Sequence, residues 1–239
     1  ADRIELHVQQ FGGPRQANIV GAVVNKVADD AYVQALRAAS PLFTGEAFRL
    51  VAAIPFQDEL NAPRTRDVAD LLGASVLNAG DYEQRRVQKV ILCARAMPNT
   101  VQLLQPGVLV VTPGDRDDII LAACLAAMNG VPLAGLLLCT DFLPDPRVLD
   151  LCRNALQGGL PVLTVATGSY DTATNLNRLN KEIPVDDRER AEKVTEFVAS
   201  HIDHEWLRQR CGSDRERHLS PAAFRYQLVK QAQAANKRI

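Results

Sequence analysis

Three uncharged apolar runs in the middle of the chain alternate with segments whose apolar residues recur at helical spacing. The runs begin at Gly107, Ala134 and Pro161, which lie 27 residues apart each time. This interval suits a strand followed by a crossover helix, because the connection between parallel strands needs a dozen or more residues. The runs do not alternate apolar with polar residues, which is typical of strands that helices cover on both faces. The predicted strands span residues 108–111, 135–139 and 162–165.

Two helices are predicted between these strands. Residues 117–129 carry apolar side chains at helical spacing and are followed by Gly130, a residue suited to a left-handed helix end. Residues 146–157 show the same spacing and are followed by two glycines. Together with an earlier strand at 87–94, this pattern predicts an α/β domain with a mainly parallel central sheet.

The segment before this domain predicts two strands, at 18–24 and 48–54, with a helix at 30–39 between them. Two strands are too few for an independent sheet with helices on both faces. We therefore expect the chain to begin inside a domain.

The segment after the central domain is mainly charged. It predicts an amphipathic helix at 188–207, a charged linker at 208–218 and a final helix that begins with Ser220 and Pro221, a capping residue and a first-turn proline. The chain stops on a residue that suits the start of a further strand, so we expect it to end inside a longer protein as well.

The composition narrows the classes of partner. Lys and Arg total 27 and Asp and Glu total 28, which gives a formal net charge of −1 and no basic surface for nucleic acid. The apolar runs are far shorter than the roughly 20 residues that span a bilayer, and the first residues lack the pattern of a signal peptide. Five cysteines without a Cys-x-x-Cys pair indicate reduced core residues of a cytoplasmic protein without a structural metal site. They are Cys93, Cys124, Cys139, Cys152 and Cys211.

Each of the three central strands is followed by a turn that begins with threonine. Ligands of open parallel sheets bind at the carboxyl ends of the strands, where helix N-termini present free N–H groups. These turns therefore predict a site for a small anion or a nucleotide phosphate. Its candidate residues are Thr112, Gly114, Asp115, Arg116, Thr140, Asp141, Thr167 and Ser169. The competing interpretation is that the polar residues only cap the helices that follow.

Other motifs predict little chemistry. Asn25 and Lys26 follow a predicted strand and are candidates for contact with a purine base, although a polar strand end is the favoured explanation because Asn often follows a strand as a turn residue. The chain contains no Gly-x-x-x-x-Gly-Lys-Ser/Thr phosphate loop, and no Gly-x-Ser-x-Gly elbow surrounds Ser169. The pair His201 and His204 lacks the spacing and the third ligand of a metal site. We therefore assign no catalytic residue, no metal and no cofactor.

Several stretches, spread in order over nearly the whole chain, resemble the non-catalytic N-terminal region of long-form phosphate acetyltransferases. They are residues 18–26 (NIVGAVVNK), 85–87 leading to 93–95, 121–131 (LAACLAAMNGV), 183–187 (IPVDD) and 219–228 (LSPAAFRYQL). The resemblance implies the second half of a dethiobiotin-synthetase-like P-loop module at 1–70, a DRTGG-type α/β domain at 71–206, and a linker and helix at 207–239 that lead to a catalytic domain. The Asp-Arg-Thr-Gly-Gly signature of that domain falls at Asp115 and Arg116, but here the chain continues with Asp117 and Asp118.

The resemblance also implies a function. The parent enzymes transfer an acetyl group between coenzyme A and phosphate, and we expect that these 239 residues do not catalyse this reaction themselves. We expect a cytoplasmic homo-oligomer that senses a nicotinamide nucleotide, pyruvate, phosphoenolpyruvate or ATP at the threonine turns. The alternative is an oligomerisation scaffold that binds no ligand.

Overall fold

The structure, a computed structural model, describes residues 1–13, 19–46, 48–179 and 182–211. The chain divides into two compact units, one made of residues 1–55 with 200–239 and the other of residues 56–199. These divisions differ from the predicted domain ends at 70 and 206, because the helix at Thr65–Leu72 lies within the second unit and the described residues 200–211 belong to the first. The predicted domain boundaries remain a proposal.

The described part of the chain contains seven strands and ten α-helices. The strands are β1 Gly21–Val27, β2 Arg49–Pro55, β3 Ser75–Asn78, β4 Lys89–Leu92, β5 Val108–Pro113, β6 Gly135–Cys139 and β7 Val162–Thr164. The helices are α1 Asp2–Gln10, α2 Asp30–Ala39, α3 Thr65–Leu72, α4 Met97–Thr100, α5 Asp117–Met128, α6 Pro146–Leu151, α7 Arg153–Gln157, α8 Ser169–Leu176, α9 Arg188–Ser200 and α10 His204–Cys211.

The second unit is built on a five-stranded sheet in the order β3-β7-β6-β5-β4. Strands β4 to β7 are parallel, and β3 pairs antiparallel with β7 at one edge. Alternate residues of the central strands enter separate cores on the two faces: Leu109, Leu137 and Leu163 pack on one face, and Val110 and Leu136 pack on the other. The predicted α/β fold with a mainly parallel sheet is confirmed.

The first unit contains β1 and β2 as a parallel pair, with a core that includes Val33 and Phe48. The chain after α9 adds to this pair, since Ile202 forms an antiparallel bridge with Ala52 and the Asp203 N–H donates to the Val51 carbonyl at 3.0 Å. The first predicted strand, at 18–24, is wrong by three residues: β1 runs from Gly21 to Val27, in the register set by its pairing with β2.

Two predicted helices are interrupted in the structure. The helix predicted at 146–157 divides into α6 and α7 at Cys152, a turn residue that keeps right-handed backbone angles, with φ −83° and ψ −1°. The helix predicted at 188–207 divides into α9 and α10 because residues 201–203 pair with β2 instead of continuing the helix. The start of the predicted linker, up to Cys211, therefore belongs to α10. The predicted final helix from Ser220 lies outside the described residues.

The described cysteine side chains fit the predicted core role. Cys93, Cys124, Cys139 and Cys152 are buried free thiols. Burial raises the pKa of Cys93 to about 11, so this thiol stays protonated at neutral pH. Among the described residues, no helix is both long and apolar enough to cross a bilayer.

Candidate ligand site at the carboxyl edge of the sheet

The structure brings the three threonine turns together at one edge of the five-stranded sheet. They follow β5, β6 and β7, which are neighbours and run parallel, so their carboxyl ends share an edge. Backbone hydrogen bonds join the turns: the Thr140 N–H donates to the Thr167 carbonyl at 2.9 Å, and the Gly114 N–H donates to the Cys139 carbonyl at 3.1 Å. Prediction from parallel topology alone therefore places these residues correctly relative to one another.

Thr112 is the last residue but one of β5, its side chain is fully buried, and its hydroxyl has no hydrogen-bond partner among the described residues. A buried polar group without a partner costs about 1–3 kcal/mol, so such groups are rare and call for an explanation. A ligand atom or an ordered water at this edge would satisfy the hydroxyl.

The turn after β6 holds two non-glycine residues in the left-handed region. Thr140 has φ 76° and Asp141 has φ 59°. For a β-branched residue such as Thr140 this conformation costs on the order of 1–3 kcal/mol, and strain of this kind concentrates at functional sites. The Thr140 hydroxyl donates to the Cys139 carbonyl, which helps to hold the turn.

The residues that precede the helices after two of the turns make no side-chain cap: Arg116 precedes α5 and Gly168 precedes α8. At α5, however, the Asp118 carboxylate accepts hydrogen bonds from the backbone N–H groups of Asp118 and Ile119. Thr167 instead shares a hydroxyl hydrogen bond of 2.7 Å with Thr172, and Ser169 Oγ lies 3.1 Å from Cys139 Sγ. The interpretation that these polar residues only cap helices therefore fails at α8, whose first N–H groups remain available for an anion, whereas the Asp118 carboxylate interacts with the start of α5.

The Arg116 guanidinium already binds other groups of the chain, so it is not free to bind an anion. Its guanidinium donates to both carboxylate oxygens of Asp118, at 2.8 and 2.9 Å, and to the Arg95 carbonyl at 3.0 Å. The same hydrogen bonds lower the pKa of Asp118. Of the remaining candidates, Asp115 and Asp141 are exposed and Gly114 is buried.

Asn25 and Lys26 lie in the first unit, at the end of β1, and so do not join this edge. Both are exposed, Lys26 has φ 59°, and its N–H donates to Asn25 Oδ1 at 2.8 Å. This local turn is what a polar strand end produces. Contact with a base remains a proposal for these two residues.

Sequence patterns missed a cluster of ion pairs in the second unit. Asp187 is almost fully buried and accepts hydrogen bonds from both Nη atoms of Arg86, while buried Arg64 pairs with Asp67 at 2.8 Å and with exposed Asp186 at 3.0 Å. The sequence shows Asp186 and Asp187 only as two acidic residues just before the helix predicted from residue 188. Their different burial depends on contacts with residues about 100 positions away, which no local pattern reports.

The ion-pair cluster makes stability depend on pH. Hydrogen bonds from Arg86 hold the pKa of Asp187 below its usual 3.8, and Arg116 acts likewise on the pKa of Asp118. Because the folded chain binds these protons less readily than the unfolded chain, the stabilisation is complete above the unfolded pKa and is lost as pH falls through the folded pKa. We expect the thermal midpoint to fall steadily between about pH 5 and pH 2. Melting curves measured across this range test the expectation, and a midpoint that stays level or rises on acidification contradicts it.

Comparisons with known proteins show which sequences this chain is similar to. The model of the DRTGG domain matches residues 67–179. The whole chain is 70% identical over 249 residues to a phosphate acetyltransferase of Pseudomonas aeruginosa and covers 35% of that protein. It is 40% identical over 258 residues to a phosphate acetyltransferase of Escherichia coli K12 and covers 36% of it. The chain thus spans about a third of the length of the curated relatives it matches.

Among solved structures, the chain is similar to the CBS and DRTGG domains of the regulatory region of Clostridium perfringens pyrophosphatase in complex with the activator diadenosine tetraphosphate. The match covers 74% of this chain and 88% of that one, with 12% identity and a TM-score of 0.41. A likeness at this level carries no argument about the ligand of the present chain.

Proposed function

Since the chain contains a DRTGG domain and is homologous to the N-terminal region of phosphate acetyltransferases, we propose that it is the regulatory part of such an enzyme. It binds a small anionic metabolite or nucleotide at the edge formed by Thr112, Thr140 and Thr167, and the catalytic transfer of acetyl between coenzyme A and phosphate belongs to another part of the parent protein. A cytoplasmic location goes with this proposal, in keeping with the buried free thiols.

One observation carries the proposal: a buried hydroxyl that has no partner among the described residues lies at an edge where helix α8 also begins without a side-chain cap. Free N–H groups at helix starts bind anions. A threonine hydroxyl adds a hydrogen bond that depends on the ligand's shape as well as on its charge.

The acidic residues around the edge limit which anion fits. Asp115, Asp117 and Asp141 are exposed there, and Arg116 is paired with Asp118. Repulsion from these carboxylates disfavours a ligand of high negative charge. We therefore expect pyruvate or a nicotinamide nucleotide to bind better than metal-free ATP.

Calorimetry of the 239-residue chain against NADH, pyruvate, phosphoenolpyruvate and ATP tests the proposal. We expect at least one of them to bind, and Thr112→Val to weaken that binding about 10-fold by removing one hydrogen bond to a charged group. Valine fills the same space without the unsatisfied hydroxyl, so the variant should be no less stable than the original chain when no ligand is present.

Thr195→Val is the matched control, since Thr195 is exposed on α9 and its hydroxyl donates to the Ala191 carbonyl at 2.7 Å. This variant should bind like the original chain. Silence for all four compounds, or equal binding by Thr112→Val, contradicts the effector site.

An oligomerisation scaffold is the second candidate, favoured by an uncovered strand. Strand β4 lies at the edge of the sheet, and Val90 and Leu92 on it are 40% and 46% exposed. Exposed apolar edge strands tend to pair with another chain. Two results together would favour the scaffold over the sensor. They are the absence of binding heat for all four compounds and a sedimentation mass that increases with protein concentration.

A further inference from the structure

The first unit contains a cleft that none of the threonine turns contributes to. It encloses about 760 Å³, within the range of small-molecule sites, and is lined mainly by Arg37, Phe43, Glu46, Arg49, Trp206 and Gln209. We propose that this cleft binds a small molecule in which an anionic group, a phosphate or a carboxylate, is attached to a compact apolar part.

Arg49 provides a guanidinium that is already held in place. Its Nη2 donates to Asp203 Oδ2 at 2.7 Å, and its Cζ lies 5.6 Å from the centre of the Trp206 ring. A guanidinium has five N–H donors in a rigid fork that matches two oxygens of a carboxylate or phosphate. Since the carboxylate of Asp203 is bonded to one Nη atom, donors remain for an incoming anion, and little conformational freedom is lost on binding.

Arg37 provides a second guanidinium from the last turn of α2. Its side chain is exposed, and within the described ranges it makes no hydrogen bond or ion pair. Two arginines and one glutamate, Glu46, line the cleft, and Asp203 already neutralises Arg49. The attraction for an anion therefore comes from the exposed Arg37 guanidinium together with the remaining N–H donors of Arg49.

A second cleft of about 560 Å³ is also lined by Arg37 and Arg49, but the rest of its lining is more acidic. Asp29, Asp30 and Asp203 line it. Carboxylates repel an incoming anion, so we place the anionic group in the first cleft, on the Trp206 side.

The wall of the first cleft supplies apolar contact. Phe43, Leu50 and Trp206 line it and are each buried to more than nine-tenths. A ligand that places its anion between the arginines therefore lays its remainder against aromatic and aliphatic carbon. This combination selects an aryl or alkyl phosphate or carboxylate over inorganic phosphate.

Trp206 makes the proposal directly measurable, because it is the single tryptophan of the chain. Its fluorescence, excited at a wavelength that the probes do not absorb, reports on the cleft during titration with phenyl phosphate, benzoate, inorganic phosphate and phenol. We expect a saturable change with phenyl phosphate or benzoate, and the stronger of the two identifies the anion. Inorganic phosphate should bind more weakly, and phenol weakest.

Variants at Arg37 separate recognition from folding. Arg37→Gln should weaken binding about 10-fold by removing a charge-assisted hydrogen bond, and Arg37→Lys should recover part of the loss because it restores the charge without the fork. Arg3→Gln changes an exposed arginine of the same unit outside the cleft and should leave binding unchanged. Thr112→Val should do the same, which separates this cleft from the threonine edge.

Three results would overturn the inference. They are a fluorescence change with no saturation for either aryl anion, equal affinity in Arg37→Gln with circular dichroism like that of the original chain, and binding of phenol as strong as that of phenyl phosphate.

Discussion

Replacing Gly114 with alanine is expected to destabilise the second unit by about 3 kcal/mol or more, because the new methyl group has no space. A Cβ at this position would fall on the Phe142 carbonyl oxygen and lie 2.6 Å from its carbonyl carbon. Both atoms belong to the backbone, so no side chain can rotate away. The turn after β6 must move, and that turn already contains Thr140 and Asp141 in a strained conformation.

Gly168→Ala is the matched control at the same edge of the sheet. Gly168 has φ −64°, and a Cβ there would meet nothing within 4 Å. Alanine restricts the unfolded chain, which stabilises a protein by about 0.4–1 kcal/mol, but it is less favourable than glycine at a helix N-cap, so we expect a change in stability of less than about 1 kcal/mol. Urea unfolding of the two variants measures the difference. If Gly114→Ala unfolds at the same urea concentration as the original chain, the turns after β5 and β6 do not pack as described.

The elements that local pattern fixes were predictable from the sequence. Helix α2 runs from Asp30 to Ala39 as expected, and α5 begins at Asp117 as expected and ends within one residue of the prediction. The buried strands β5 and β6 were equally clear, because an uncharged apolar run between turn residues has few alternatives in a parallel sheet. The shared edge of their turns then follows from topology.

The elements that depend on distant partners were not predictable. Helix α9 ends at Ser200 because Ile202 pairs with Ala52, about 150 residues earlier, although the apolar spacing continues through this point. Strand β3 is short and largely exposed, so its sequence shows neither a buried run nor a clear alternation. It exists because β7 offers an edge to pair with.

The same distinction holds for the candidate site. The threonines could be located from the ends of the strands, but the unsatisfied Thr112 hydroxyl and the pairing of Arg116 with Asp118 depend on packing. Sequence patterns therefore located the threonine turns of the proposed site and overstated the charge available to hold a ligand there. The cleft beside Trp206 left no signal at all, since its lining residues come from separate parts of the chain.

Asp187→Asn is expected to destabilise the second unit by about 3–5 kcal/mol, because it removes the negative charge of a buried ion pair while leaving the positive partners in place. Asp187 has a side chain only 2% exposed, and it accepts hydrogen bonds from Arg86 and from the Arg190 N–H. Arg64, also buried, has its Nε 4.0 Å from Asp187 Oδ2. An asparagine keeps the shape and one acceptor oxygen, but the arginine charges around it then lose the carboxylate that compensates them.

Asp186→Asn tests whether burial, and not the mere count of ion pairs, produces this effect. Asp186 is the adjacent residue, its side chain is 52% exposed, and it pairs with Arg64 at 3.0 Å and Arg66 at 3.6 Å. Ion pairs in water contribute little, because solvent screens them and the side chains lose freedom. Denaturant unfolding at neutral pH should therefore show a large loss of unfolding free energy for Asp187→Asn and a small one for Asp186→Asn.

Asp187→Asn should also reduce the loss of stability on acidification, since the carboxyl group with the lowered pKa is absent. Equal losses in the two variants, or an unchanged acid response, would contradict the prediction that the buried charge of Asp187 stabilises the second unit.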